Sequence, residues 1–238
     1  MKIALLGYGT MGREIEQIAL ERGHHIVFKS TRNTSAEELK TGLLAADVAI
    51  EFSTPQSANE LISAALLNGI PVVSGTTGWL AHWDDVNALR ADKKGALFYA
   101  SNFSLGVNLF FALNKKMANL MNGQSEYDVQ MIETHHTRKK DAPSGTAITL
   151  AEQIIEKIDR KDGWLLGKPE ATNQLSIRSE RIDDVPGTHE IIYESDIDII
   201  NLRHEAKSRK GFALGAVVAA EWVPGKTGTF GMNDLLNL

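Results

Sequence analysis

Over the first hundred residues, short apolar runs alternate with longer segments of helical periodicity. Runs of strand character fall at 2–6, 25–28, 48–52, 72–74 and 96–99. Between them, segments 11–22, 35–44, 56–68 and 83–91 place apolar residues three and four apart, as in Ala58, Leu61, Ile62, Ala65 and Leu66. Alternating strands and helices of these lengths imply a parallel sheet covered on both faces. Such sheets bind ligands beyond the carboxyl ends of their strands. The turns there are 7–12, 53–55, 75–78 and 101–104, all small, polar or glycine-rich.

The pattern changes after residue 104. Segment 105–121 reads as a long helix whose apolar face is Leu109, Leu113, Met117 and Leu120. A strand follows at 127–133, then a helix at 144–158 and a polar stretch to residue 173. Runs 175–182, 189–193 and 197–204 are strand-like and joined by short turns, which implies an antiparallel or mixed sheet. A final helix at 212–223 carries Gly215, Ala216, Ala219 and Ala220, small enough to dock closely on the first half. The expected fold class is α/β. A Rossmann-type parallel-sheet domain, 1–104 with 211–238, binds a dinucleotide. An α+β domain, 105–210, with a mixed or antiparallel sheet follows it.

Composition narrows the setting. An apolar share of 43% across 238 residues supports a folded core, so disorder is not expected. Cysteine is absent, which excludes disulfides, thiolate metal sites and a thiol nucleophile, and fits a reducing cytoplasm. The amino-terminal run reads as a strand and glycine turn rather than a signal peptide. No apolar run approaches the roughly 20 residues of a membrane span. A net charge of −5 argues against nucleic acid as a partner. Two basic clusters stand against that total: His135, His136, Arg138, Lys139 and Lys140, and Arg203, His204, Lys207, Arg209 and Lys210.

Gly7, Tyr8, Gly9, Thr10, Met11 and Gly12 form a G-x-G-x-x-G turn between a strand and a helix. That context suits a dinucleotide. The first glycine permits the tight turn, the second lets backbone approach a pyrophosphate, and the third lets helix and strand pack closely. The helix N-terminus then favours the phosphates. In many NAD sites an acid ending the second strand holds the ribose 2′-OH. Here no Asp or Glu lies between Glu21 and Glu37, and the strand runs into Lys29, Ser30, Thr31 and Arg32. Lys29 and Arg32 suit a 2′-phosphate, so NADPH is expected in preference to NADH.

The first basic cluster offers proton donors. His135 and His136 titrate near neutrality, and a lysine among other cations, Lys139, has a reason to lose its proton more easily. Pro143, Ser144, Gly145 and Thr146 then open a helix, whose hydroxyls and free N–H groups form an anion site. General acids beside an anion site suit reduction of a small carboxylate. A metal site and a purely structural histidine pair are the other readings. Adjacent histidines without cysteine are poorly spaced for one ion, and no metal is expected.

The stretch from His135 to Ala147, H-H-x-x-K-x-D-A-P-S-G-T-A, resembles the signature of the 4-hydroxy-tetrahydrodipicolinate (dihydrodipicolinate) reductase family of lysine and diaminopimelate biosynthesis. Gly75-Thr76-Thr77-Gly78, the run from Ser101 to Asn108, Gly187-Thr188-His189-Glu190 and His204-Glu205-Ala206-Lys207-Ser208-Arg209 agree with it. The resemblance implies NAD(P)H-dependent reduction of a cyclic imine dicarboxylate. In it His135 is the proton donor and acceptor and Lys139 a proton donor. His136, Gly145 and Thr146 match substrate-carboxylate contacts. Residues 7–12, Gly75, Thr76, Thr77, Ser101, Asn102, Phe103 and Ser104 match cofactor contacts. A homotetramer assembled through the substrate-domain sheets is implied as well. Many members carry a G-x-x-G-x-x-G turn, one residue longer than here, and the region between Phe28 and Val48 is short, so Lys29 and Arg32 rest on charge alone. Two alternatives are a different nicotinamide enzyme, such as an amino-acid or sugar dehydrogenase, and a nucleotide-binding redox sensor. Neither needs His-His-x-x-Lys beside Pro-Ser-Gly-Thr.

Overall fold

The apolar runs of the first hundred residues become five parallel strands: β1 (Lys2–Leu6), β2 (His25–Ser30), β3 (Val48–Glu51), β4 (Val72–Ser74) and β5 (Ala96–Tyr99). They are seen in a computed structural model, which describes residues 1–169, 171–208 and 210–238. Helices α1 (Thr10–Glu21), α2 (Ala36–Leu44), α3 (Pro55–Leu67) and α4 (Trp83–Asp92) alternate with these strands. Local chemistry starts two of them: Ser35 and Glu38 form a capping box on α2, and Pro55 occupies the first turn of α3. Every residue of β3 is buried, as a strand covered on both faces must be. The expected parallel α/β class is therefore present.

The pattern did not foretell how this sheet ends. A sixth strand, β11 (Gly228–Phe230), extends it in the order β11-β5-β4-β3-β1-β2, and a short helix, α8 (Met232–Leu236), follows. Three residues are too few to display a period of two. Before β11 runs α7 (Lys210–Trp222), which packs on α1. A Cβ on its Gly215 would stand 1.7 Å from the carbonyl oxygen of Phe103, so this helix crosses the 101–104 turn at a spacing only glycine permits. One compact unit comprises Met1–Leu105 with Lys210–Leu238, and the second is Gly106–Arg209.

The second unit begins within α5 (Leu105–Met121), followed by β6 (Asp128–His135), α6 (Gly145–Lys157), β7 (Gly163–Leu166), β8 (Gln174–Arg181), β9 (Thr188–Glu194) and β10 (Ile199–Glu205). Its sheet runs β10-β9-β6-β8-β7. β6 pairs parallel with β8 and antiparallel with β9, which makes the sheet mixed, as expected. β7 falls inside the stretch read as polar, because only Trp164, Leu165 and Leu166 mark this edge strand. The face assigned to α5 needs correction. Leu109, Leu113 and Leu120 are exposed, and Val107, Phe110, Asn114, Ala118 and Met121 are buried. This helix carries two apolar stripes, and the buried one contains an asparagine. Inside, Asn114 Nδ2 donates to the Leu150 carbonyl and to Gln153 Oε1, both at 3.0 Å, which satisfies both of its N–H donors, while Oδ1 is left without a partner.

Candidate active site

Strand alternation builds the site of the second unit. β6 turns Val129, Met131, Glu133 and His135 to its buried face. Met131 and Val129 belong to the apolar core with Ile177 of β8 and Ile191 of β9. One step further along, the same face turns polar. Glu133 lies opposite Ser179 on β8 and His189 on β9, and His135 lies opposite Arg181. The core thus ends in a layer of ionisable groups at the carboxyl end of β6.

Glu133 is 1% exposed and is the centre of that layer. Ser179 Oγ donates to its Oε1 at 2.8 Å, and an Arg181 guanidinium nitrogen donates there at 3.1 Å. The Ser144 N–H lies 3.1 Å from both carboxylate oxygens. His135 Nδ1 stands 3.3 Å from Oε2 and His189 Nε2 stands 3.8 Å away, both at ion-pair rather than hydrogen-bond geometry. Burial alone would raise the Glu133 pKa most strongly. The contacts with His135, Ser144, Ser179 and Arg181 together outweigh it and hold the carboxyl well below the usual range. His189 moves down too, to about 4, first through burial and then through the charge of His135. Its ring meets that of His135 edge-on at 5.1 Å.

Glu133, His135 and His189 offer ligand atoms within 4.8 Å of one another, a donor set that a divalent ion could use. The carboxylate already accepts from three donors, Ser144, Ser179 and Arg181, the last of which is also its counter-charge. Glu133 went unnoticed in the sequence. Its signal was present: it shares the parity of Val129 and Met131 on a strand ending at His135.

The loop after β6 holds the other expected residues. Lys139 Nζ reaches both oxygens of Asp141, at 2.9 and 2.8 Å. The ammonium is thus held by a carboxylate rather than crowded by cations, and Asp141 is lowered chiefly by that hydrogen bond. Arg138 pairs with Asp184 at 2.7 Å. Half-buried His136 precedes this turn. Ser144 caps α6, its Oγ accepting from the Ala147 N–H at 3.2 Å and meeting His189 Nε2 at 3.2 Å. Its polar atoms are committed and it is buried, so it starts and anchors the helix. Gly145 is exposed and Thr146 half-buried beside it. In the second basic cluster Arg203 bridges Glu190 and Glu205 at 2.6 and 2.8 Å. Arg209 lies outside the described residues.

In the first unit the expected turns gather at the carboxyl ends of the strands. Gly7 has φ +99, and a Cβ there would stand 2.2 Å from the Phe52 carbonyl oxygen. A Cβ on Gly12 would stand 2.4 Å from the Gly7 carbonyl oxygen. At Gly9 a Cβ would meet no protein atom within 4 Å. The fold therefore explains the first and third glycines, and the second leaves open the space a pyrophosphate requires. Thr10 is exposed, Met11 half-buried, and Ser30 Oγ accepts from the Gly7 N–H at 3.0 Å.

At the carboxyl end of β2, Lys29 Nζ pairs with Glu16 Oε1 at 2.6 Å and lies over the Tyr8 ring at 4.6 Å. Tyr8 donates a short hydrogen bond to the other Glu16 oxygen. Arg32 is exposed at the same strand end. Glu51, fully buried, accepts from Ser53 N–H and Oγ, Ser74 Oγ and Thr76 Oγ1, at 2.6–2.8 Å. It was not expected to matter. Thr77 and Ser101 are exposed, Gly75 and Asn102 half-buried. Asn102 Oδ1 accepts from the Ser104 N–H at 2.9 Å. Phe103 points inward between Phe52 and Phe98, so only its backbone can face a ligand.

Residues 1–103 match the family described as dihydrodipicolinate reductase, N-terminus, and residues 106–236 match its C-terminus. A relative from Christiangramia forsetii named 4-hydroxy-tetrahydrodipicolinate reductase is 49% identical over 237 residues, which cover 100% of this chain and 98% of that one. A relative of the same name from Akkermansia muciniphila is 36% identical, with 97% of this chain and 95% of that one covered. Among solved structures, dipicolinate-bound dihydrodipicolinate reductase from Paenisporosarcina sp. TG-14 shares the fold, with a TM-score of 0.76 and 23% identity over 97% of each chain. Among the described residues no helix is long and apolar enough to cross a membrane. Matched along both units and by relatives over its whole length, the chain belongs to the dihydrodipicolinate reductase family, oxidoreductases of lysine and diaminopimelate biosynthesis that use a nicotinamide cofactor.

Proposed function

We propose that the second unit binds 4-hydroxy-tetrahydrodipicolinate (dihydrodipicolinate) and supplies the proton for its reduction to tetrahydrodipicolinate, while the first unit holds NADPH in preference to NADH. One observation carries the reading: His135 and the N-terminus of α6 both meet the same buried carboxylate, Glu133. A proton donor and an anion site are thereby built into one cluster. A bound nicotinamide supplies the hydride to the substrate ring, and water leaves when the hydroxylated form is used. His135 delivers the proton to the neighbouring ring carbon, with Lys139 as the second donor. His136 and the N–H groups of Gly145 and Thr146 hold a substrate carboxylate, on a helix end set by Ser144. Residues 7–12, Gly75, Thr76, Thr77 and Ser101, Asn102, Phe103 and Ser104 line the cofactor, and Lys29 and Arg32 face its 2′-phosphate. The assembly is a cytoplasmic homotetramer formed through the sheets of the second unit, which sedimentation tests.

The deciding assay follows NADPH oxidation with substrate made in situ by a synthase from pyruvate and aspartate semialdehyde. His135→Gln and Lys139→Ala each lower turnover by about 10²–10⁴-fold, the contribution of a placed general acid, with NADPH affinity unchanged. Wild-type turnover in both variants refutes the site. Absence of synthase-dependent oxidation, with cofactor still bound, refutes the substrate.

A further inference from the structure

Glu133 is a buried charge whose contacts run to residues the reduction uses. A buried carboxylate is costly, and an apolar residue matching Val129 and Met131 would fill the same face without that cost. Its surroundings are nonetheless arranged to hold it ionised. Arg181 faces it from β8, His189 from β9 and His135 from its own strand, while Lys139 and Asp141 lie in the loop that follows β6 and His204 lies on β10 opposite His189. We propose that Glu133 is a positioning residue for the reduction: its carboxylate fixes the His135 ring on one side and the first residue of α6 on the other, and so sets the spacing between proton donor and substrate-carboxylate site. The proposal rests on the reading of His135 as proton donor and of α6 as anion site.

Geometry supports each half. The Ser144 N–H sits 3.1 Å from both oxygens of Glu133, which ties the start of α6 to β6. Ser144 Oγ then continues to His189, so the helix start is gripped from two strands. On the other side, Glu133 occupies the Nδ1 edge of His135, which leaves Nε2 to hold or move the transferred proton. Space on that edge is kept by Gly187, where a Cβ would stand 3.0 Å from Nε2. A carboxylate on the Nδ1 edge favours the ring proton on Nδ1, which leaves Nε2 to take up a proton and pass it on.

The test compares Glu133→Gln, Glu133→Asp, His135→Gln and the double variant Glu133→Gln/His135→Gln. Each is measured for kcat, KM, the pH profile of kcat/KM, and NADPH affinity. In Glu133→Gln, kcat falls about 10²-fold, at the lower end of general-acid contributions. The pH profile of kcat/KM changes shape, because the carboxylate on the Nδ1 edge of the proton-donating ring is gone. Glu133→Asp keeps the charge and loses reach, so its profile returns toward wild type while kcat stays low. The double variant has the kcat of His135→Gln, because Glu133 acts on the proton transfer through that ring, and any further loss falls on KM, through the start of α6. NADPH affinity is unchanged throughout. Wild-type kcat in both Glu133 variants and an unmoved profile in Glu133→Gln, with His135→Gln slow, overturn the proposal; should the Gln variant not fold, wild-type kcat in the Asp variant overturns it alone. Wild-type turnover in His135→Gln instead overturns the reading on which the proposal rests.

Discussion

Gly9 separates what the glycine turn does for the fold from what it does for a ligand. Its backbone, at φ −86 and ψ −155, is one any residue adopts, and a Cβ there meets no protein atom within 4 Å. For Gly9→Ala the fold loses a slightly better N-cap and gains a stiffer unfolded chain. These effects roughly cancel, leaving stability within about 0.5 kcal/mol of wild type. The added methyl occupies the space assigned to the pyrophosphate. Crowding of that kind costs about 1–3 kcal/mol, which corresponds to roughly 5- to 150-fold in Kd. Gly12→Ala is the contrast, since its Cβ would lie 2.4 Å from a backbone oxygen, and it destabilises the fold itself. Fluorescence titration with NADPH and urea unfolding of the three proteins give both quantities. Gly9→Ala with wild-type affinity would remove the pyrophosphate from this turn and refute the reasoning.

Two further outcomes follow from charge. A charge-assisted hydrogen bond contributes about 1.5–3 kcal/mol, so Arg32→Ala weakens NADPH binding by roughly 10- to 100-fold and leaves NADH binding unchanged; an equal loss for both cofactors would sink the 2′-phosphate assignment. His189 is depressed to about 4 from 6.5, so its stability contribution is complete above the unfolded value and lost as pH falls toward the folded one. Between pH of about 7.5 and 5 that loss is about 2 kcal/mol, and urea unfolding of wild type should fall by that much more than His189→Gln; parallel pH slopes would show that the buried ring is not the cause.

The sheet of the first unit was legible because its strands and helices are long enough to show their periods. β7 and β11 were not, being short and at edges where few residues face a core. In α5 periodicity gave the right helix and the wrong face. The exposed stripe, with Leu109, Leu113 and Leu120, is more apolar than the buried one, which includes Asn114. Only the partner across the helix, Leu150 with Gln153, makes that asparagine acceptable inside. Charge pairing was hidden for a similar reason. Lys29 was grouped with Arg32 as a cation for phosphate, but Glu16, one helix earlier, faces it. Lys139 was grouped with the basic residues around it, and its partner is Asp141, two positions on. A sequence shows how many charges are near one another in the chain, whereas pairing depends on where the side chains point.

Each unit places one buried carboxylate at the carboxyl end of a strand, Glu51 on β3 and Glu133 on β6. A carboxylate offers about four acceptor sites, more than any other side chain, and can therefore gather donors from several turns at once. Glu51 gathers Ser53, Ser74 and Thr76, which joins the turns after β3 and β4 through hydroxyls and one amide. Glu133 gathers Ser144, Ser179 and Arg181, which joins α6 to β6 and β8. Turns made of glycine, serine and threonine have weak conformational preferences of their own. Fixing several of them to one interior acceptor shapes a binding surface before any ligand arrives, and removes that ordering cost from the binding step. The difference between the two is chemical. Glu51 meets hydroxyls and an amide, which hold shape alone, whereas Glu133 also meets Arg181 and two imidazoles, so that in the second unit the residue that orders the turns also sets the electrostatics of the groups proposed to move the proton.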